Sequence, residues 1–82
     1  MEMESIRNQV QGIFRDILDL ESLTLGDDTQ ASDVDGWDSL THIQLIVAIE
    51  KEFKVKFSSK EILSWKNVGE LLNSLQAKIV PR

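Results

Sequence analysis

Ser39 and His42 stand three residues apart, and Asp38 directly precedes the serine. At that spacing on a helix the two side chains are near neighbours. A serine nucleophile activated by an imidazole is therefore the first chemistry to weigh. It does not assemble well: a serine at a helix start has no evident oxyanion hole in this chain, and no orienting carboxylate is assured. His42 is expected to be an exposed polar helix position, and the chain is not expected to be an enzyme. Asp33, Asp35 and Asp38 resemble part of a calcium loop, but Gln44 stands where the closing Glu of the twelve-residue pattern belongs. No metal site is expected. The absence of cysteine removes disulfides, thiolate nucleophiles and Cys-based zinc sites together.

What remains is Gly36-Trp37-Asp38-Ser39-Leu40. It reads as a turn, a helix cap and a serine in the first turn of a helix. Such a serine projects beside free backbone N–H groups and the positive end of the helix dipole, a setting that favours a phosphate ester on its oxygen. Capping alone would also explain a serine there.

The elements that must position this stretch are helical. Ile6, Val10, Ile13, Phe14 and Ile17 recur at spacings of three and four, so a first helix is expected over about Ser5 to Leu18. Arg7, Gln11 and Arg15 take its wet face. Gly12 either weakens this helix or permits close packing. Residues 19–38 are rich in turn chemistry and form a loop of about 20 residues, a length that is usually functional or disordered. Leu23, Leu25, Val34 and Trp37 should pin it to the core.

The second helix is expected from Ser39 to about Phe53, with Asp38 as N-cap. Leu40, Ile43, Ile46 or Val47, Ile49 and Phe53 would face the core, leaving some apolar surface exposed. Val55-Lys56-Phe57 is a linker. Ser58 and Glu61 have the spacing of a capping box that opens a short helix. Asn67 and Glu70 repeat the device before a last helix, which carries Val68, Leu71, Leu72, Leu75 and Ile79 inward and ends before Pro81. The expected fold is all-α: three main helices and one short one, in a single domain over residues 1–82.

The chain is acidic, with net charge −5, and 41% of its residues are hydrophobic. Residues 19–38 hold seven acids and no Lys or Arg, whereas residues 39–82 hold seven bases and four acids. The acidic side disfavours nucleic acid, whose phosphates need a basic surface. The N-terminus lacks a signal peptide's basic start and apolar run, and no stretch approaches a membrane span. A cytoplasmic monomer is expected, and the initiating Met and short tails suggest a free-standing protein.

The stretch from Gly36 to Phe53 resembles the second helix of acyl carrier proteins, with Asp38-Ser39-Leu40 as the family triplet. The order of helices, the acidic loop and the lack of cysteine extend the resemblance over nearly the whole chain. It implies a four-helix bundle whose serine receives 4′-phosphopantetheine from coenzyme A through a phosphopantetheinyl transferase. Carried over by position, Ser39 is the attachment site. Asp38 and Leu40 complete the recognition motif, Leu40 also packing inward. The arm's thiol would hold acyl groups as thioesters, and Ile46, Ile49, Ile62 and Leu71 are candidates to line an acyl pocket, or are ordinary core.

One departure matters. Carriers of fatty-acid synthesis show a strongly acidic second helix, but here Thr41 and Gln44 stand where acids are usual, and Lys51 interrupts Glu50 and Glu52. Partner enzymes with basic patches would read the face formed by Thr41, Gln44, Val47, Glu50 and Lys51. Loss of acids from it points to a specialised carrier, serving a polyketide, lipid-modifying or cell-surface pathway. Two alternatives remain: a peptidyl or aminoacyl carrier loaded by an adenylating enzyme, and a helical interaction module without a covalent cofactor.

Overall fold

The computed structural model describes residues 3–79. Four α-helices follow one another: α1 (Met3–Leu18), α2 (Ser39–Phe53), α3 (Ser59–Ser64) and α4 (Val68–Ile79). There is no strand among the described residues. The long connection between α1 and α2 contains one 3-10 turn, Ala31–Asp33. The expected end of the last helix before Pro81 lies outside the described residues.

Helix α1 packs against both α2 and α4. Its inward stripe is Ile6, Val10 and Phe14, all fully buried, and it meets Leu45 and Ile49 of α2 and Leu71, Leu72 and Leu75 of α4 in one core. Leu25 and Val34 are buried and Leu23 and Trp37 half-buried, so apolar anchors hold the long loop down as the pattern implies.

Polar side chains of α1 also hold the loop, and here the expected wet face is corrected. Arg7 pairs with Asp27. Gln11 Oε1 accepts from the Leu25 N–H at 2.7 Å, and Arg15 Nε donates to the Leu23 carbonyl at 2.7 Å. Positions four apart on a helix share a face. These three therefore clamp successive points of a loop whose backbone would otherwise lack partners near α1. The loop in turn caps α4: the Val68 N–H donates to the Thr29 carbonyl and the Gly69 N–H to the Asp27 carbonyl.

The two glycines in helices have opposite roles. A Cβ at Gly12 would meet nothing within 4 Å, so close packing is not its purpose. At Gly69 a Cβ would lie 2.9 Å from the Asp27 carbonyl oxygen that caps the helix. Gly12→Ala should stabilise the fold by about 0.5–1 kcal/mol through helix propensity. Gly69→Ala should cost about 1–3 kcal/mol, because the loop must shift off α4. Urea denaturation of the two variants checks the opposite signs.

Helix α2 shows the largest difference from the expected packing. Leu45, Ile46 and Ile49 are buried, while Leu40 is 68% exposed, Ile43 61% and Val47 42%. Leu40 and Ile43 do not pack inward. The core stripe runs through His42, Leu45, Ile46, Ile49 and Phe53, in helical register, and Leu40, Ile43 and Val47 form the opposite stripe. His42 sits on the inner stripe, half-buried and not exposed as its polarity suggested.

Candidate functional site

Ser39 is the first residue of α2 and is exposed. Its position is held by the residues around it. Gly36 adopts φ +82°, a left-handed turn that an L side chain rarely takes. Asp38 Oδ1 accepts from the Thr41 N–H at 3.0 Å, and Thr41 Oγ1 accepts from the Asp38 N–H at 2.8 Å. The Thr41 hydroxyl donates onward to the Gly36 carbonyl at 2.7 Å. Turn, cap and first helical turn are thereby tied into one unit that presents Ser39.

Behind Ser39 lies a groove of about 560 Å³ between the start of α2 and the segment running from α3 into α4. Trp37, Asp38, Ser39, His42 and Ile43 form one wall; Ile62, Leu63, Trp65, Lys66, Asn67 and Leu71 form the other. Of the four pocket candidates, Ile62 and Leu71 line it. Ile46 and Ile49 do not: they belong to the closed core.

A run of aromatic rings backs the groove. Phe14 meets Trp37 edge-on at 4.9 Å, Trp37 stacks on His42 with 24° between planes, and His42 and Phe57 each meet Trp65 edge-on. Both indole N–H groups are satisfied: Trp37 Nε1 donates to His42 Nδ1 at 3.0 Å, and Trp65 Nε1 to Ser74 Oγ at 2.8 Å. The sequence offered one signal for this arrangement, a Trp five residues before the lone His, but nothing in it showed that they meet.

Two ionisable groups at the site are displaced from their ordinary values. Hydrogen bonds to the carboxylate, chiefly from the Thr41 backbone N–H, hold Asp38 below the usual carboxylate value. Burial pushes the His42 imidazole down, because the charged ring is poorly solvated there. Both shifts mean that the unfolded chain takes up protons first as pH falls, so acid lowers stability. The His42 contribution is lost from the ordinary imidazole value downward, and the Asp38 contribution from the lower carboxylate range downward. Urea midpoints should therefore fall between about pH 8 and pH 5, the window where histidine titrates. His42→Phe should flatten that slope.

The expected reader face divides. Gln44, Val47 and Lys51 are exposed. The Thr41 hydroxyl is committed to the cap. Glu50 is half-buried and its Oε2 accepts from the Phe57 N–H at 2.9 Å, so this carboxylate also holds the turn after α2. No group of metal-ligating side chains stands together among the described residues. None of the described helices is long and apolar enough to cross a membrane.

Residues 8–75 match the family model described as "Phosphopantetheine attachment site". The chain belongs to that family. Curated acyl carrier proteins of Buchnera aphidicola subsp. Acyrthosiphon pisum, strains Tuc7 and APS, are each 29% identical over 76 residues, spanning 93% of this chain and 95% of theirs. The solution structure of holo acyl carrier protein from Geobacter metallireducens superposes with a TM-score of 0.85 at 39% identity, covering 90% of this chain and 85% of that one. The bundle expected from the resemblance is thus the fold observed, and the chain is an acyl carrier with covalently attached 4′-phosphopantetheine. A non-covalent interaction module is set aside. Carriers of this kind are substrates of a phosphopantetheinyl transferase and work with enzymes that handle acyl groups. The exposed serine hydroxyl, the polar cap and the roomy apolar groove suit such a group.

Proposed function

We propose that Ser39 is the residue that carries the arm, and that the whole chain, residues 1–82, acts as one carrier domain, a cytoplasmic monomer. One observation supports this above all: a hydroxyl in the first turn of α2, exposed and without a hydrogen-bond partner among the described residues, opens directly on the groove. Loading forms a bond from Ser39 Oγ to the phosphorus of the phosphopantetheine half of coenzyme A as its pyrophosphate link breaks; adenosine 3′,5′-bisphosphate leaves, and the hydroxyl proton passes to a base of the transferase. The bound group supplies a thiol that holds acyl chains as thioesters. This chain's part is to present and shelter it: Asp38 and Thr41 fix the backbone at the attachment point, and exposed Leu40 gives the transferase an apolar contact beside it. Ile62 and Leu71 are placed to line the apolar end of the groove.

Partner recognition follows the charge map. Leu40, Ile43 and Val47 form an exposed apolar stripe that continues into Lys51, without an acid on it. Exposed negative charge on the segment leading to Ser39 lies instead on Asp33, Asp35 and Asp38. A partner with basic residues facing the loop and an apolar patch facing α2 fits both features. That pattern supports a specialised pathway over housekeeping fatty-acid elongation.

The test is to incubate the full chain with coenzyme A and a broad-specificity transferase, then map the added mass by peptide. The mass should lie on the peptide containing Ser39. Mass on another residue, or none, would overturn the assignment.

A further inference from the structure

We propose that His42 positions the arm: its Nε2–H donates to the phosphodiester joining the arm to Ser39, and Trp37 sets the imidazole tautomer that makes this donor available. The inference rests on Ser39 being the loaded residue.

Indole nitrogen can only donate a hydrogen bond. Trp37 Nε1 lies 3.0 Å from His42 Nδ1, so Nδ1 accepts and the neutral ring carries its proton on Nε2. No hydrogen bond to a protein acceptor engages that Nε2–H among the described residues, and it is not sealed in. His42 lines the same groove as Ser39. Side chains of a helix lean toward its N-terminus, so a residue three positions after Ser39 covers the turn that Ser39 begins. The Trp37 hydrogen bond, with the two rings nearly parallel, holds the imidazole in that attitude.

The phosphodiester keeps its negative charge throughout the neutral range. An N–H aimed at it makes a charge-assisted bond, stronger than one to a neutral acceptor. Among the described residues, the other charged side chains facing the groove are Asp38 and Lys66. Asp38 is occupied by the Thr41 N–H, and Lys66 reinforces an anion. Phe14 and Leu71, reaching the site from α1 and α4, bring no charge. Burial disfavours the charged ring in the unloaded protein, whereas an adjacent phosphate favours it. Loading should therefore move the His42 titration upward. When the ring does take a second proton, Nδ1 stops accepting and the Trp37 bond is lost.

The experiment compares the full chain before and after loading, with the added mass located on Ser39. The His42 ring nitrogens, the Trp37 indole N–H and the arm's phosphorus are followed by NMR from pH 8 to pH 5, the histidine window, at about half-unit steps. The proton should sit on Nε2 in both neutral forms. The loaded protein should show a His42 midpoint higher by about half a pH unit or more. Its phosphorus resonance should move with that midpoint, and His42→Phe should leave the resonance flat. Equal midpoints before and after loading, or a phosphorus resonance indifferent to His42, would overturn the proposal while leaving Ser39 as the site. Mass found away from Ser39 would overturn the attachment assignment and this inference with it. If His42→Phe does not fold, the loaded and unloaded forms of the unsubstituted chain decide alone.

Discussion

Replacing Ser39 by alanine will abolish loading of the arm and leave the bundle standing. Under conditions in which the unmodified chain gains the full mass of phosphopantetheine, Ser39→Ala should gain none. The effect is complete because the substitution removes the oxygen that forms the new bond, and no neighbouring group stands in for it. Asp38 is a carboxylate committed to the cap, and the Thr41 hydroxyl is turned back onto Gly36. Stability should change by no more than about 0.5 kcal/mol, as for exposed positions free of special interactions. Ser39 is exposed, its hydroxyl makes no hydrogen bond among the described residues, and the helix is capped by its neighbours. Alanine is also the better helix former. Circular dichroism and the urea midpoint report the fold; intact mass reports the loading. A Ser39→Ala protein that still acquires the mass would show that Ser39 is not the attachment residue.

The parts of this molecule that depend on local chemistry were legible from the chain. Helix α2 begins and ends where its cap and apolar run imply, and α3 opens on the Ser58–Glu61 box, with Ser58 Oγ accepting from the Glu61 N–H. Asn67 caps α4 through the Glu70 N–H, although Glu70 reaches back to Lys66 N–H and not to Asn67 itself. These interactions close over three or four residues, so residue type and spacing suffice to find them. The side chains that join distant segments were not legible. Arg7, Gln11 and Arg15 look like a solvated face because their partners lie eight to twenty residues on, in a loop without periodicity.

The inner face of α2 differs from the expected one for a related reason. Apolar residues are so numerous there that several stripes fit, and the true one passes through a histidine. An imidazole can occupy a half-buried position when Nδ1 has a donor and the ring a stacking partner, and Trp37 provides both. Once His42 turns inward, Leu40 and Ile43 must turn outward. The same rotation that buries the histidine creates the exposed apolar stripe beside Ser39. The candidate site is thus one consequence of helix phase: one placement sets His42 toward the groove and Leu40 and Val47 on the outer face, with Ile43 at the edge between them.

That dependence gives the second large effect. Phe14→Ala should destabilise the protein by about 3–5 kcal/mol, the usual cost of emptying a fully buried aromatic position. A chain of this size is held by about 4–12 kcal/mol in total, so much of the margin would go. The distinctive expectation concerns the site. The Phe14 ring meets Trp37 edge-on, and Trp37 in turn supports His42. With Phe14 gone, the indole loses its backing from α1, and the Trp37 N–H should exchange faster and lose its hydrogen-bonded NMR shift. Ile6→Ala supplies the comparison. Ile6 is equally buried on the same stripe of α1, about 12 Å away along the axis. Its removal should cost about 2–5 kcal/mol and leave the Trp37 signal near its native position. If both variants disturb Trp37 alike, the site senses only global stability. If Phe14→Ala alone does so, α1 holds the groove open through a chain of rings, and the first helix has a part in carrying cargo although it contributes nothing to the groove's lining.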